Sequence, residues 1–283
     1  MPQFDPSDLI DLVKYPIDRR ESVEYEELVA LTRAELNERG CSVLPAFTPA
    51  RSIGDLVAEA ESVAEKGHRS FNQTNPYFTR DDPSLPDSHP IRRFYPRSNI
   101  FVPADNFGTD SLLRAIYERP DFAAFVQDAL TETAFHRYAD PLADVIVNVV
   151  EDGNGFPWHF DTNNFTVTLA LQNGLAGGEF QYSPNLRTPT WENYGGVQSV
   201  LDGGADGVET LRLRPGDLQI FRGRYSLHRV TPVEGQLKRY VAIFSFVEEA
   251  NMVGSPERTR QLYGRILPIH LERAGQRMDK LLD

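Results

Sequence analysis

The sequence predicts an α+β chain whose core is a double-stranded β-helix of jelly-roll type, flanked by N- and C-terminal helices. Three observations predict it. Helical periodicity dominates residues 1–140, strand-like alternation takes over from Ala143, and helix returns after Asn251. The 283 residues suffice for one large domain with a sizeable core, and no internal repeat divides them. We therefore expect a single domain over 1–283: a mainly helical part (1–140), a jelly-roll core (141–250) and C-terminal helices (251–283).

In order along the chain, "VEYEELVALTRAELNERG" places Tyr25, Leu28, Val29, Thr32 and Leu36 on one helical face and stops at Gly40, a C-cap residue. "CSVLPAF" reads as a short strand. Thr48-Pro49 reads as an N-cap with proline in the first turn, opening a helix to about Lys66. From 67 to 96 the pattern is lost, and "NQTNPYFTRDDPSLPDSHP" predicts one long loop. Short helices follow near 109–118 and 120–131. Then come "DVIVNVV", "FTVTLALQ", "GGEFQY", "GVETLRLRPG", "GDLQIFRG", "YSLHRVTP" and "KRYVAIFSFVEE", separated by Gly, Pro and Asn; so many short strands predict a sandwich or barrel. "NLRTPTWENYGGVQSVLDGGADG" is expected as a flap at the barrel mouth. It lacks the Lys-Ser/Thr of a phosphate loop. "SPERTRQLYGRIL" and "HLERAGQRMDKLL" return to helix.

Composition narrows the partners. A net charge of -12 and a pI of about 5.0 disfavour nucleic acid and anionic membrane, which need basic patches. A lone Cys41 excludes an internal disulfide and a thiolate zinc cluster, so a metal would rest on histidine and carboxylate. "MPQFDPSDLIDLVKYP" lacks the basic and apolar regions of a signal peptide, and no run approaches the roughly eighteen apolar residues of a membrane span. A cytoplasmic protein is expected, acting on a small molecule; a homodimer is left open.

The chemistry concentrates in "FPWHFDTNNF". His159 and Asp161 lie two apart, so on an extended segment they point to the same side. His228, 69 residues downstream on a later strand, offers a third ligand. Two imidazoles and one carboxylate form the facial triad of non-haem Fe(II) sites, with positions left open for other ligands. Zinc suits the same donors, but the jelly-roll context favours iron. Arg239 follows 11 residues later; Arg239, Val241, Ile243 and Ser245 share one strand face, and Tyr240, Ala242, Phe244 and Phe246 the other. Both faces are largely apolar, so a buried guanidinium there needs an anionic partner. That partner is a bound carboxylate or a barrel acid such as Glu179.

The set His159-x-Asp161, His228 and Arg239 resembles the 2-oxoglutarate/Fe(II)-dependent dioxygenase superfamily. "WHFDTNNFTVTLALQNGLAGGEFQYSPNLR" and "GDLQIFRGRYSLHRVTPVEGQLKRYVAIFSF" are similar to its branch of free-amino-acid halogenases and hydroxylases. The resemblance covers about residues 140–250 and is weaker before it. It implies Fe(II) held by His159, Asp161 and His228, 2-oxoglutarate held by Arg239, and O2 as oxidant, with succinate and CO2 released. In that branch the halogenases carry Gly where this chain has Asp161, which implies hydroxylation, of a small polar amino-acid-like substrate. Desaturation or cyclisation would use the same cofactors. A non-catalytic binding protein of cupin type and a Zn hydrolase are the readings from other classes.

Further residues are weighed against plain structural roles. Asn148 and Thr168 are candidates for the co-substrate region, Asn148 equally for an internal tie. Thr162, Asn163, Arg224, Arg93 and Arg97 are candidates for substrate, the arginines for a substrate carboxylate or for a solvated basic face. Trp158 alternates away from His159 and reads as packing. His68, His89, His136 and His270 lack partners at ligand spacing and read as non-ligands.

Overall fold

The structure, a computed structural model, describes residues 6–273. Helix α1 (Val23–Arg39) starts where the Ser22 hydroxyl accepts the Tyr25 N–H, and carries Glu24 and Glu26 in its first turn. It buries Tyr25, Val29, Thr32 and Leu36, with Leu28 half-buried. It ends at Gly40, whose φ of 63° is the left-handed conformation glycine adopts without strain. β1 (Cys41–Leu44) follows directly. The next helix, α2 (Ala50–Ala64), departs from expectation at its start: extended Pro49 is the N-cap, with no side-chain capping bond. Thr48 is fully buried and its hydroxyl has no partner, so burial in the core outweighs capping there.

The stretch 67–96 is not one loop. β2 (His68–Thr74) and β3 (Tyr95–Val102) pair antiparallel from His68↔Phe101 to Thr74↔Tyr95, leaving 75–94 as the connection. Their polar and Pro-containing sequence hides them because β2 is an edge strand that draws much of its definition from its neighbour. α3 (Leu112–Tyr117) and α4 (Pro120–Leu130, Pro at its start) complete the first half. The strands continue with β4 (His136–Arg137), β5 (Val145–Val150), β6 (Phe156–His159), β7 (Thr166–Gln172), β8 (Ala176–Gly177) and β9 (Phe180–Ser183). After α5 (Tyr194–Leu201) come β10 (Glu209–Leu211), β11 (Leu218–Phe221), β12 (Leu227–Val230), β13 (Val233–Glu234), β14 (Arg239–Phe244) and β15 (Phe246–Val247). α6 (Pro256–Tyr263) and α7 (Pro268–Glu272) close the described chain; the helix expected beyond Arg273 lies outside the described residues.

Two antiparallel sheets face each other, the layering expected of a jelly roll. The larger has the order β1-β11-β7-β14-β5-β3-β2 and the smaller β10-β9-β12-β6. Period-two alternation divides the larger sheet. Val145, Val147, Val149, Val167, Leu169, Ala242 and Phe244 join the helices in the main core, where Phe122 and Phe125 are fully buried. The alternate residues, among them Asn148, Thr168, Gln219, Arg239 and Ile243, face a cavity between the sheets. Apolar burial on one face therefore fixes the register that points polar groups inward on the other.

The insertion at 185–207 is not a flap at the mouth. Val197 and Val200 of α5 pack with Tyr77, Ile91, Trp158, Phe160 and Leu227 on the outside of the smaller sheet. Trp158 belongs to this packing, with the Arg229 guanidinium 4.6 Å from its ring. No helix among the described residues is long and apolar enough to cross a membrane.

Candidate metal centre and cavity

β6 and β12 are neighbours in the smaller sheet, and His159 stands directly across from His228. Cross-strand pairing thus brings together residues 69 apart in sequence, with ring centroids 4.0 Å apart. Each imidazole Nδ1 faces a backbone carbonyl, His159 that of Pro157 at 2.8 Å and His228 that of Ser226 at 2.9 Å. Nδ1–H donation to a carbonyl fixes the tautomer that leaves Nε2 with its lone pair in the cavity. Burial pushes the His159 imidazole well below its ordinary value, His228 adds to that, and Asp161 opposes it.

The chain leaves β6 through buried Phe160, and the Asp161 N–H donates to the Gly223 carbonyl at 3.0 Å. That bond turns the carboxylate towards the histidines. Its Oδ1 lies 3.7 Å from His159 Nε2 and 3.4 Å from His228 Nε2, and its Oδ2 accepts the Thr166 hydroxyl at 2.6 Å. Burial would raise this carboxyl, but the imidazoles and the Thr166 hydroxyl outweigh it and hold it below the usual carboxylate range. A Cβ at position 223 would sit 1.9 Å from Asp161 Oδ2, so Gly223 is the space the carboxylate occupies. One ligand atom from each of the three residues lies within 4.8 Å of the others. One ion at about 2.0–2.2 Å from each donor reaches all three, and the two-nitrogen, one-oxygen set suits non-haem Fe(II).

The centre opens on a cavity of about 370 Å³, within the range of small-molecule sites. Arg239 stands on its wall at the start of β14, opposite Val150 of β5. It is buried, its Nε has no partner, and burial brings its pKa down to about 10. Glu179, the barrel acid weighed as its partner, pairs with Arg212 at 2.9 Å instead. Gly178 makes room for the arginine stem, since a Cβ there would lie 3.1 Å from Arg239 Cδ. A buried cation on a cavity wall suits an anionic ligand, as the far carboxylate of 2-oxoglutarate would be. Thr168 donates to Gln219 Oε1 at 3.1 Å and Asn148 to the Ile100 carbonyl at 3.2 Å; both also line the cavity.

Thr162, Asn163 and Arg97 reach the same cavity. Arg93 and Arg224 are not among its lining residues. Arg93 precedes β3 and pairs with Asp202 at 2.6 Å on the α5 side. Arg224 sits in a turn, where Tyr225 and Ser226 N–H bond the Arg222 carbonyl, so strand alternation does not apply to it. Fully buried, it donates to the Thr162 carbonyl at 2.9 Å and braces the metal loop from outside. His270 and Asp140 form a buried pair at 3.0 Å, His89 caps the turn at Pro90–Arg92, and His68 lies against Gly264. Sequence reasoning missed Gly223, Asp140 and the tail residues Arg258 and Tyr263, all of which touch the cavity or its ligands. Their local sequence carries no pattern that tells a site residue from a surface or core one.

A family model described as Halogenase D matches residues 24–263. Among solved structures, a non-heme alpha-ketoglutarate-dependent carbocyclase from nogalamycin biosynthesis, SnoK, aligns with a TM-score of 0.56 at 13% identity. The alignment covers 83% of this chain and 92% of that one. A 2OG-Fe(II) oxygenase family oxidoreductase from Burkholderia pseudomallei aligns with a TM-score of 0.50 at 13% identity, over 78% and 91%. HygX from Streptomyces hygroscopicus, solved with nickel, 2-oxoglutarate and hygromycin B, aligns at 0.50 and 11%, over 79% and 94%. At these identities the likeness is one of fold. No curated protein matches the chain.

Proposed function

The chain belongs to the Halogenase D family, and from that premise we propose that it hydroxylates an unactivated C–H bond of a small, polar, amino-acid-like substrate. Its cofactors are Fe(II) and 2-oxoglutarate, with O2 as oxidant. The reaction balances as substrate C–H plus O2 plus 2-oxoglutarate giving substrate C–OH, succinate and CO2. When bound, the iron and 2-oxoglutarate supply the activation of O2; the protein supplies geometry. His159, Asp161 and His228 hold the metal, Arg239 the far carboxylate of 2-oxoglutarate, and Thr168 and Asn148 the wall beside it. Arg97, Thr162 and Asn163 stand on the substrate side, where placement decides which bond reacts.

Asp161 carries the choice of hydroxylation over halogenation. It occupies the position that is Gly in the halogenases this sequence resembles. It is also built in, with Thr166 on one oxygen, the imidazoles beside the other, and Gly223 giving it space. A third protein ligand leaves no place for a halide in the set. A cytoplasmic location fits the buried single thiol.

The test is anaerobic titration with Fe(II) and 2-oxoglutarate, read as the visible charge-transfer band of the chelate. We expect the band in the wild type and a co-substrate affinity weakened about tenfold or more in Arg239→Ala, as for loss of a charge-assisted bond. A wild type with no band, or a variant that binds 2-oxoglutarate normally, refutes the co-substrate assignment. Succinate release screened over free amino acids then addresses substrate, and chlorinated product from the wild type would overturn hydroxylation.

A further inference from the structure

The turn after β2 holds a bulky residue in a costly backbone state. Phe78 has a φ of 57°, the left-handed region that large side chains avoid. The turn is built to keep it there. Asn75, fully buried, donates from Nδ2 to the carbonyls of Thr79 at 3.1 Å and Ile91 at 2.6 Å. Its Oδ1 accepts the N–H groups of Tyr77 at 3.0 Å and Thr79 at 3.1 Å, and its carbonyl accepts the Phe78 N–H at 3.2 Å. The turn is also fastened to the metal loop. The N–H of Phe160, between the ligands His159 and Asp161, donates to the Pro76 carbonyl at 2.9 Å, and the Tyr77 ring packs on the Phe160 ring.

This turn sets the half-buried Phe78 ring in the cavity wall. The ring centre lies 5.5 Å from that of His159 and 5.4 Å from the guanidinium carbon of Arg97. Arg97 is 1% exposed, and none of its three guanidinium nitrogens has a hydrogen-bond partner. The faces of Phe78 and of Phe156, at 4.2 Å, cradle it. Phe78 therefore stands between a metal ligand and the buried cation. Glycine takes a φ of this sign without strain, and asparagine tolerates it, so the turn by itself needs no phenyl group. Strain that the surroundings hold in place at a ligand cavity points to a use for the side chain. Phe156 also lies beside both groups, but it is outside the left-handed region and stacks on the His159 ring at 3.9 Å.

Resting on the oxygenase reading above, we infer that Phe78 is a specificity-determining residue. Its ring is the wall along which the substrate lies between Arg97 and the metal, and its bulk limits the length of substrate that fits. One methylene in an apolar pocket changes discrimination by about 10–200-fold, so a ring placed here decides between homologues. A smaller residue at 78 admits the longer one.

Calorimetry with pairs of L-amino acids that differ by one methylene tests this: aspartate and glutamate, asparagine and glutamine, ornithine and lysine, norvaline and norleucine. Each is titrated anaerobically into protein loaded with Fe(II) and 2-oxoglutarate, and into metal-free protein. We expect the wild type to favour the shorter member of at least one pair. Phe78→Ala should move that affinity ratio towards the longer member by about tenfold or more, and Phe78→Leu by less. Phe78→Gly opens the same space and takes the φ without strain, so it should show the same shift even where Phe78→Ala folds poorly. Fe(II) and 2-oxoglutarate should bind all three variants as they bind the wild type. A wild type that favours the shorter member of no pair, or a ratio unchanged in both Phe78→Ala and Phe78→Gly, overturns the inference. Equal loss of both members together with weakened metal binding also overturns it, because the ring would then only support His159. If the chelate band forms and no ratio shifts, only this inference fails. If the band is absent while metal-free protein shows the shift, the oxygenase reading fails and the Phe78 wall stands.

Discussion

At the metal end of the cavity the ligand side chains are held by protein partners; at the Arg97 end a buried guanidinium has none. His159 and His228 are tied to the carbonyls of Pro157 and Ser226, Asp161 to Thr166, and the following loop to Arg224. Arg97 rests on aromatic faces alone. The metal end is preorganised for an ion, with its orientation settled before anything binds. At the other end the guanidinium has aromatic faces beside it and, at longer range, the Asp161 charge, with no hydrogen-bond acceptor.

The contrast can be broken most sharply at Gly223. Gly223→Ala places a methyl group on Asp161 Oδ2, and we expect equilibrium dialysis to show metal affinity falling by more than about a hundredfold. Normal metal binding in that variant would mean the carboxylate is not fixed as described. Thr166→Val is milder: it keeps shape and removes one hydrogen bond to Asp161, for a loss of about 10–100-fold in metal affinity. The Arg97 end predicts the opposite sign for stability. Arg97→Met keeps volume and removes a buried charge that no hydrogen bond satisfies, so denaturant unfolding of ligand-free protein should show a gain of about 1–4 kcal/mol while substrate-coupled succinate release is lost. A destabilised variant would show that the aromatic cradle alone compensates the charge.

The smallest effect is in pH. Burial holds His159 neutral in the folded chain, whereas the unfolded chain takes up a proton below about pH 6.5. The unfolded state then binds more protons, so stability of metal-free protein is level above that pH and declines as pH falls. The slope approaches about 1.4 kcal/mol per pH unit for one such group. Thermal unfolding between pH 7.5 and 5.5 should show this decline, and His159→Gln should flatten it. Identical slopes would place the His159 ring in contact with water.

Where one strong local pattern decides, the sequence was readable. The buried face of α1, the left-handed Gly40, and the alternation of β5 and β14 follow from periodicity and from glycine's lack of a Cβ. The pairing of His159 with Asp161 rests on the same two-residue repeat. Where several residues compete for one environment, it was not. Thr48 has a capping residue's chemistry but is drawn into the core. Arg224 reads as cavity-facing only if β12 begins earlier than Leu227, and the preceding turn rotates it outward. Arg93 and Arg97 lie four apart in one basic run, yet one meets Asp202 and the other the cavity, a difference set by where β3 begins. Arg258 becomes visible only when the tail folds back over the barrel.

The register His159↔His228 has a mechanical consequence. A metal bound across β6 and β12 closes a loop of 69 residues in a chain whose single thiol cannot form an internal disulfide. It acts as a reversible clasp on the smaller sheet. A metal that binds only the folded arrangement of the two strands stabilises it by mass action. Chelating the metal should therefore loosen β6 and β12 first, seen as faster amide hydrogen exchange in those strands while the helix-backed core of the larger sheet stays protected.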